Sequence, residues 1–149
     1  MPHFREATAD DLTAIAGLMR AYYTEDGYPF SAAAATDALT ALQKIPALGR
    51  LWALDADGRV AGYLAVTLGF SLEYRGRDAF IDELYIDADQ RGLGLGREAL
   101  QLALDYCESE GVRALHLEVE HHRPSARQLY ERMGFEHHDR VLMTRMLKI

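Results

Sequence analysis

The chain has 149 residues, the size of one domain, and its composition of 49% hydrophobic and 26% charged residues is that of a folded globular protein. Sixteen Lys and Arg against 23 Asp and Glu leave a net charge of −7, the wrong sign for non-specific binding of nucleic acid. The single cysteine, Cys107, excludes an internal disulfide and a structural zinc cluster. No apolar run approaches the ~20 residues that span a membrane, and the first residues do not predict a secretory signal. We therefore expect one soluble, cytoplasmic domain over residues 1–149, without a nucleic-acid or membrane partner.

The first half of the chain predicts two helices and a hairpin. Thr8 and Asp11 resemble a capping box, and apolar residues behind them recur at helical spacing, which predicts a helix near 9–23. Ser31 is placed to cap a second helix that runs to about residue 43. Strands are predicted at 51–54 and from Val60 to about Gly69, joined by a turn at Asp57-Gly58.

The second half predicts alternating strands and helices. A strand at 79–86 is followed by a helix that opens at Gly92–Gly96 and ends at Gly111. A strand at 115–120 leads to a short helix from Pro124 to about Met133, and 141–147 predicts a closing strand. The order, roughly β α α β β β α β α β, indicates an α+β domain with a mixed sheet.

The glycine-rich segment after the strand at 79–86 is the most informative part of the sequence. Gly92, Gly94 and Gly96 bring the backbone amides of a helix start into the open, and Arg91 and Arg97 add positive charge at both edges. Unpaired amides and the helix dipole favour an anion there, so we expect a phosphate site rather than an unoccupied turn.

Two kinds of phosphate ligand are compatible with this segment. Gly94-Leu95-Gly96-Arg97-Glu98-Ala99 matches the dinucleotide fingerprint formally, with Glu118 about 20 residues further on. Only about 30 residues follow Glu118, which is too few for a doubly wound sheet, so the context does not favour an NAD(P)-binding domain. No Gly-Lys-Ser/Thr follows the glycines, so a Walker A loop is absent.

The other interpretation is a family resemblance. Arg91-x-x-Gly94-x-Gly96 resembles the pyrophosphate loop of the GNAT superfamily of N-acetyltransferases, and the resemblance continues through Leu117-Glu118-Val119 and residues 126–135. It implies a GNAT-like fold, with a central mixed sheet, two splayed parallel strands and about four flanking helices. It also implies direct transfer of an acetyl group from acetyl-CoA to a primary amine in a ternary complex. Residues 82–86 look most like the diamine (spermidine-type) branch.

The resemblance also implies which residues hold acetyl-CoA. The pantetheine arm would pair with backbone in the gap between the strands at 79–86 and 115–120, and the glycine segment would hold the pyrophosphate. Where the family usually has Asn, this chain has Arg123. The residues expected at the coenzyme are Leu84, Tyr85, Ile86, Arg91, Gly92, Leu93, Gly94, Leu95, Gly96, Arg97, Arg123, Ser125 and Ala126.

The same resemblance implies two catalytic roles, a proton donor for the thiolate and a proton acceptor for the amine. Tyr130 matches the family tyrosine that protonates the departing thiolate, although its helical spacing also suits a packing residue. Glu83 is the preferred proton acceptor, ahead of Glu118 and then Asp82, and each of them can also be an ordinary solvated carboxylate. Because Asp82 and Glu83 are adjacent on a strand, we expect them to face opposite ways.

The acceptor would be a small-molecule amine. Tyr28, Phe30 and Asp82 are the expected contacts, because aromatic faces and carboxylates attract ammonium groups, although the aromatic residues near 22–30 also suit a core. The adjacent histidines at 121–122 and 137–138 are read as solvated, so no metal is expected. A catalytically silent acyl-CoA-binding module is the alternative function, and a homodimer is compatible with the resemblance.

Overall fold

The computed structural model describes residues 1–148, in two compact units that divide after Glu118. The single domain expected over 1–149 stays a prediction. No helix in the described part combines the length and the apolar character that crossing a membrane requires.

The first unit holds a five-stranded sheet and three helices, together with short 3-10 turns at Ala9–Asp11 and Ala88–Gln90. Its elements in chain order are β1 (His3–Glu6), α1 (Leu12–Asp26), α2 (Ala32–Lys44), β2 (Gly49–Ala56), β3 (Arg59–Ser71), β4 (Gly76–Ile86), α3 (Leu95–Ser109) and β5 (Ala114–Leu117).

The strands lie in the order β1-β2-β3-β4-β5, antiparallel except for the parallel pair β4 and β5. This mixed sheet confirms the predicted α+β class. The parallel pairing joins residues 78–81 to residues 114–117, and β4 continues to Ile86 beyond it. The predicted strand 115–120 is therefore too long, because β5 ends at Leu117. A single parallel pair is not the doubly wound sheet that the dinucleotide alternative requires.

Helices cover both faces of the sheet. Along β2, Leu51 and Ala53 are buried in a cluster with residues of α1 and α2, whereas the Trp52 ring meets Tyr106 of α3 edge to face, 5.2 Å between centroids. Successive strand side chains point to opposite faces, so β2 is buried on both sides and its sequence is a continuous apolar run.

Local sequence signals explain most of the element boundaries. The backbone N–H of Thr8 donates to the Asp11 carboxylate at 2.7 Å, which forms half of the predicted capping box. The Arg5 guanidinium also binds Asp11 and holds the pKa of that carboxyl down at about 2. Helix α1 runs three residues past the predicted end, because Gly27, with φ 75°, caps it rather than the preceding acidic residues.

The second unit begins at Val119 and contains α4 (Pro124–Arg132), which opens on proline as predicted. Gly134, with φ 93°, follows its end, and the Phe135 amide returns to the Tyr130 carbonyl at 3.0 Å. The closing strand predicted at 141–147 is wrong for the described residues, which form no strand there. A strand requires a neighbour for its backbone groups, and Val141 and Met143 are each 88% exposed.

Candidate active site

A β-bulge in β4 sets the orientation of the acidic pair. Glu83 lies opposite Ala65 of β3 and Ile81 lies opposite Val66, so Asp82 is an extra residue without an opposite partner. Ala65 and Val66 are neighbours and face opposite sides of the sheet. Ile81 and Glu83 therefore also face opposite sides, although they are two residues apart. The expectation that Asp82 and Glu83 face opposite ways assumed a regular strand, and the bulge lies at this pair.

The Glu83 carboxylate is bound by two tyrosine hydroxyls from different elements. Tyr23 of α1 donates to Oε2 and Tyr63 of β3 donates to Oε1, each at 2.6 Å. The Tyr63 side chain is 1% exposed, whereas Tyr23 is half-buried. We call these three residues the Glu83 cluster. Sequence reasoning missed Tyr63, because a tyrosine inside a strand is indistinguishable from an ordinary core residue.

Burial dominates the electrostatics of this cluster. Desolvation raises the pKa of Glu83 above its ordinary value, the hydrogen bonds from Tyr23 and Tyr63 lower it in part, and the charge of Asp82 raises it further. Desolvation by the surrounding protein also raises the pKa of Asp82, although that side chain is exposed to solvent at the surface. The pKa values of both phenols are also raised, first by burial, so they remain protonated donors. A buried carboxyl with a raised pKa is suited to accept a proton near neutral pH.

Aromatic rings surround the cluster on the α1 side. Tyr28, half exposed, meets the Tyr23 ring edge to face at 6.4 Å between centroids. Phe30 meets the same ring at 5.6 Å, packs against the core and has the Arg20 guanidinium 5.0 Å above it. Of the two aromatic residues among the expected acceptor contacts, Tyr28 thus has the more accessible ring.

A second carboxylate, Glu25 at the end of α1, joins β4 to the glycine segment. It accepts the Tyr85 hydroxyl at 2.9 Å and pairs with the Arg91 guanidinium at 3.4 Å. Arg91 also donates through Nε to the Ile86 carbonyl at 2.7 Å, and its guanidinium lies 5.3 Å from the centre of the Tyr85 ring. The Arg91 side chain is therefore turned toward the end of β4.

The glycine segment has the backbone geometry of an anion site. Gly92 and Gly94 have φ values of 81° and 79°, and a Cβ at either position would meet no atom within 4 Å. The Glu98 amide makes the first bond of the helix, to the Gly94 carbonyl at 3.2 Å. The three preceding amides, of residues 95–97, are free of the helix ladder, and this open, positively polarised turn fits a diphosphate.

The end of β4 offers a second backbone feature. The Asp87 amide donates to the Ala61 carbonyl of β3 at 2.8 Å. In a strand, successive residues direct their backbone N–H and C=O groups to opposite edges. The backbone groups of Leu84 and Ile86 therefore point away from β3, to the edge of β4 that β5 covers only as far as Ile81. Arg91 already uses the Ile86 carbonyl. The remaining groups on this edge fit an extended amide-bearing arm such as pantetheine.

The remaining expected site residues come later in the chain, at the end of the first unit and in the second unit. Glu118 is exposed and follows β5 directly in the first unit. Tyr130 lies on α4 of the second unit, where burial raises the pKa of its phenol and the charge of Arg123 lowers it in part. Arg123 precedes the first residue of α4, Ser125 is exposed and Ala126 is half-buried. The catalytic role of Tyr130 and the coenzyme contacts of α4 stay predictions.

Comparison with known proteins identifies the family. Residues 14–135 match the acetyltransferase (GNAT) family. The uncharacterized N-acetyltransferase YhfO of Bacillus subtilis is 32% identical over 82 residues, 55% of each chain. The solved structure of integron cassette protein HFX_CASS3, from a salt-marsh metagenome, has a TM-score of 0.86 at 36% identity over 98% of this chain and 91% of that one.

A further solved structure shares the fold. A protein of Clostridium acetobutylicum, described as a predicted acetyltransferase with acetyl-CoA, has a TM-score of 0.83 at 16% identity, covering 97% of this chain and 96% of that one. The chain spans about half the length of the curated relatives it matches. The family match covers most of the sequence and agrees with the mixed sheet and the glycine turn, and the chain belongs to the acetyltransferase (GNAT) family.

Proposed function

We propose that this chain transfers the acetyl group of acetyl-CoA to a primary amine by direct attack in a ternary complex, with Glu83 as the proton acceptor. The observation that carries the proposal is the Glu83 carboxylate itself, held by two phenols at 2.6 Å with its pKa raised by burial. It lies on the same strand as Leu84 and Ile86, whose backbone groups suit the coenzyme arm. Family membership supports the choice of acetyl-CoA as donor.

The coenzyme would be held mainly by backbone. The amides of residues 95–97 and the turn at Gly92 and Gly94 would bind its diphosphate, with positive charge from Arg91 and Arg97. The free backbone groups of Leu84 and Ile86 would bind its arm. When bound, acetyl-CoA supplies an acyl carbon activated as a thioester. An N–H of β4 directed at its carbonyl would stabilise the oxyanion, an effect typically worth about 3 kcal/mol per donor.

The acceptor amine must lose a proton before it can attack. An alkyl ammonium has an ordinary pKa of about 10.4, so at neutral pH nearly all of it is protonated and unreactive. Glu83 would take this proton, because its carboxylate is partly buried and its pKa is raised. Glu118 is exposed and lacks that environment. Asp82 adds negative charge beside Glu83 and would attract the ammonium group before the transfer.

The departing thiolate needs a proton in turn. We expect Tyr130 to donate this proton, because it lies on α4 at the position that resembles the family tyrosine. Its raised pKa keeps the phenol protonated at neutral pH, which a proton donor requires.

A thiol-release assay over a panel of primary amines tests the proposal. The wild-type protein should release CoA with at least one amine, and Glu83→Gln should lose this activity while its melting temperature still rises with acetyl-CoA. A ligand at 100 times its dissociation constant adds about 2.7 kcal/mol of stability, which a thermal shift detects readily.

Two outcomes would contradict the proposal. Binding of acetyl-CoA without CoA release for any amine would favour a silent acyl-CoA-binding module. Full activity in Glu83→Gln would show that another residue, Glu118 or Asp82, is the proton acceptor.

Tyr130→Phe, assayed in parallel, should bind acetyl-CoA normally and release CoA slowly.

A further inference from the structure

We propose that Tyr23 and Tyr63 are positioning residues that hold the half-buried Glu83 carboxylate in its ionised form. This inference rests on the role proposed for Glu83 above. The two hydroxyls reach the Glu83 carboxylate from residues that lie 60 and 20 positions before it in the sequence.

The two hydrogen bonds restrain the carboxylate at both oxygens. Tyr63 of β3 holds Oε1 and Tyr23 of α1 holds Oε2, each at 2.6 Å, so rotation about the last side-chain bond breaks both contacts. A carboxylate offers about four acceptor positions, and the phenols occupy one on each oxygen. Each oxygen therefore keeps acceptor capacity for the ammonium group of a substrate.

The chemistry of the donors explains why tyrosines suit this role. The groups that face Glu83 are Tyr23 from α1, Tyr63 from β3 and Asp82 from β4. The charge of Tyr22 of α1 contributes to the raised pKa of both phenols. Within residues 1–148, no Arg, Lys or His side chain pairs with Glu83. A cation there would stabilise the carboxylate so strongly that it would be a poor base. Neutral phenols offset part of the cost of burial and leave the carboxylate able to accept a proton.

The two phenols differ in what lies around them. Tyr63 is fully buried in the sheet and fixes Oε1 to β3. Tyr23 is half-buried, and its ring touches the exposed Tyr28 and the packed Phe30. Oε2 is therefore the oxygen on the side of the expected acceptor contacts, and it is the one that we assign to take the amine proton.

Single substitutions to phenylalanine test the proposal, because they delete one hydroxyl and keep the ring. In Tyr23→Phe and Tyr63→Phe, the acid limb of the pH dependence of kcat/KM should move to higher pH. Below the midpoint, kcat/KM should fall about tenfold, roughly the effect of one hydrogen bond to a charged group. At high pH, where Glu83 is ionised in every variant, the rates should converge, and acetyl-CoA affinity should be unchanged.

Tyr106→Phe is the matched control. Its hydroxyl is buried on α3 and has no hydrogen-bond partner among the described residues, so its deletion removes a phenolic oxygen from the interior without touching Glu83. The pH profile of this variant should coincide with that of the wild type. A general loss of rate at every pH in Tyr23→Phe and Tyr63→Phe, without movement of the acid limb, would overturn the positioning role.

A direct titration separates this inference from the proposed function. Carbon-13 labelling of glutamate carboxyls, with Glu83→Gln to assign the signal, follows the protonation of Glu83 without any turnover. Movement of this titration to higher pH in both tyrosine variants supports the positioning role. If it moves while the kinetic profile does not, the tyrosines control Glu83 and the assignment of Glu83 as the proton acceptor fails. An unmoved titration overturns the inference itself.

Discussion

The glycine segment and the Glu83 cluster differ in how they are built. The glycine segment is one continuous stretch, residues 91–97, in which a mostly exposed turn leads into the start of a helix. The Glu83 cluster is made of side chains from α1, β3 and β4, and most of its surface is buried. Binding an anion through backbone amides needs only local geometry, whereas shifting the pKa of a carboxyl needs several elements packed around it.

This difference predicts that the two regions can be damaged separately. Substitutions in the cluster should alter rate and pH dependence and leave acetyl-CoA affinity intact. Substitutions in the glycine segment should alter acetyl-CoA affinity and leave the shape of the pH profile intact.

The largest effect is expected for Glu83→Gln. Loss of a general base typically costs about 10²- to 10⁴-fold in rate, so kcat should fall by that factor while the dissociation constant of acetyl-CoA stays the same. Steady-state CoA release and calorimetric titration measure the two quantities. A parallel loss of coenzyme affinity would show that the regions are not separable.

The next effect is expected for Gly94→Ala. At φ 79° an alanine is strained by about 1–2 kcal/mol, although its Cβ meets no atom within 4 Å. We expect a comparable loss of unfolding free energy in urea and roughly tenfold weaker acetyl-CoA binding, because relief of the strain moves the amides that follow.

Gly58→Ala is the control for backbone strain. Gly58 has φ 87° in the β2–β3 turn and equally open surroundings. It should lose similar stability and bind acetyl-CoA normally. Equal loss of affinity in both variants would mean that the glycine segment has no specific role.

A smaller effect, of opposite sign to that of the tyrosine variants, is expected for Asp82→Asn. The charge of Asp82 raises the pKa of Glu83, so its removal lowers that pKa. A base is active when unprotonated, and activity is lost as pH falls through its pKa. The acid limb of kcat/KM should therefore move to lower pH. An acid limb that stays in place would show that Asp82 is screened from Glu83.

The smallest effect is expected for Glu25→Gln. Glu25 joins Arg91 of the glycine segment to Tyr85 of β4, the strand that carries Glu83. Arg91 is paired with Glu25 at 3.4 Å on a part-exposed surface, where an ion pair contributes about 0–1 kcal/mol. Releasing the guanidinium should strengthen acetyl-CoA binding by up to about threefold, measured by calorimetry at low salt. Weaker binding would show that the pair holds Arg91 in a useful place.

Much of the fold follows from local signals. Ser31 caps α2 by accepting the Ala34 amide at 3.3 Å, and Pro124 opens α4, both as predicted. The closing strand predicted at 141–147 is wrong for the described residues, because a short stretch of sequence carries no information about a pairing partner. The end of β5 at Leu117 was missed for the same reason, since strand length depends on the neighbouring strand.

The sequence by itself predicted the family, the α+β class and the glycine turn at a helix start. The family motifs and the turn depend on residues close together in the chain, and the order of helices and strands indicates the class. Tertiary structure alone decided that Glu83 faces α1, because that orientation comes from an extra residue in the pairing of β3 with β4. It also decided that Tyr63 shares Glu83 with Tyr23. The physical reason is that burial and side-chain hydrogen bonds are properties of packed neighbours, and sequence spacing does not encode which neighbours meet.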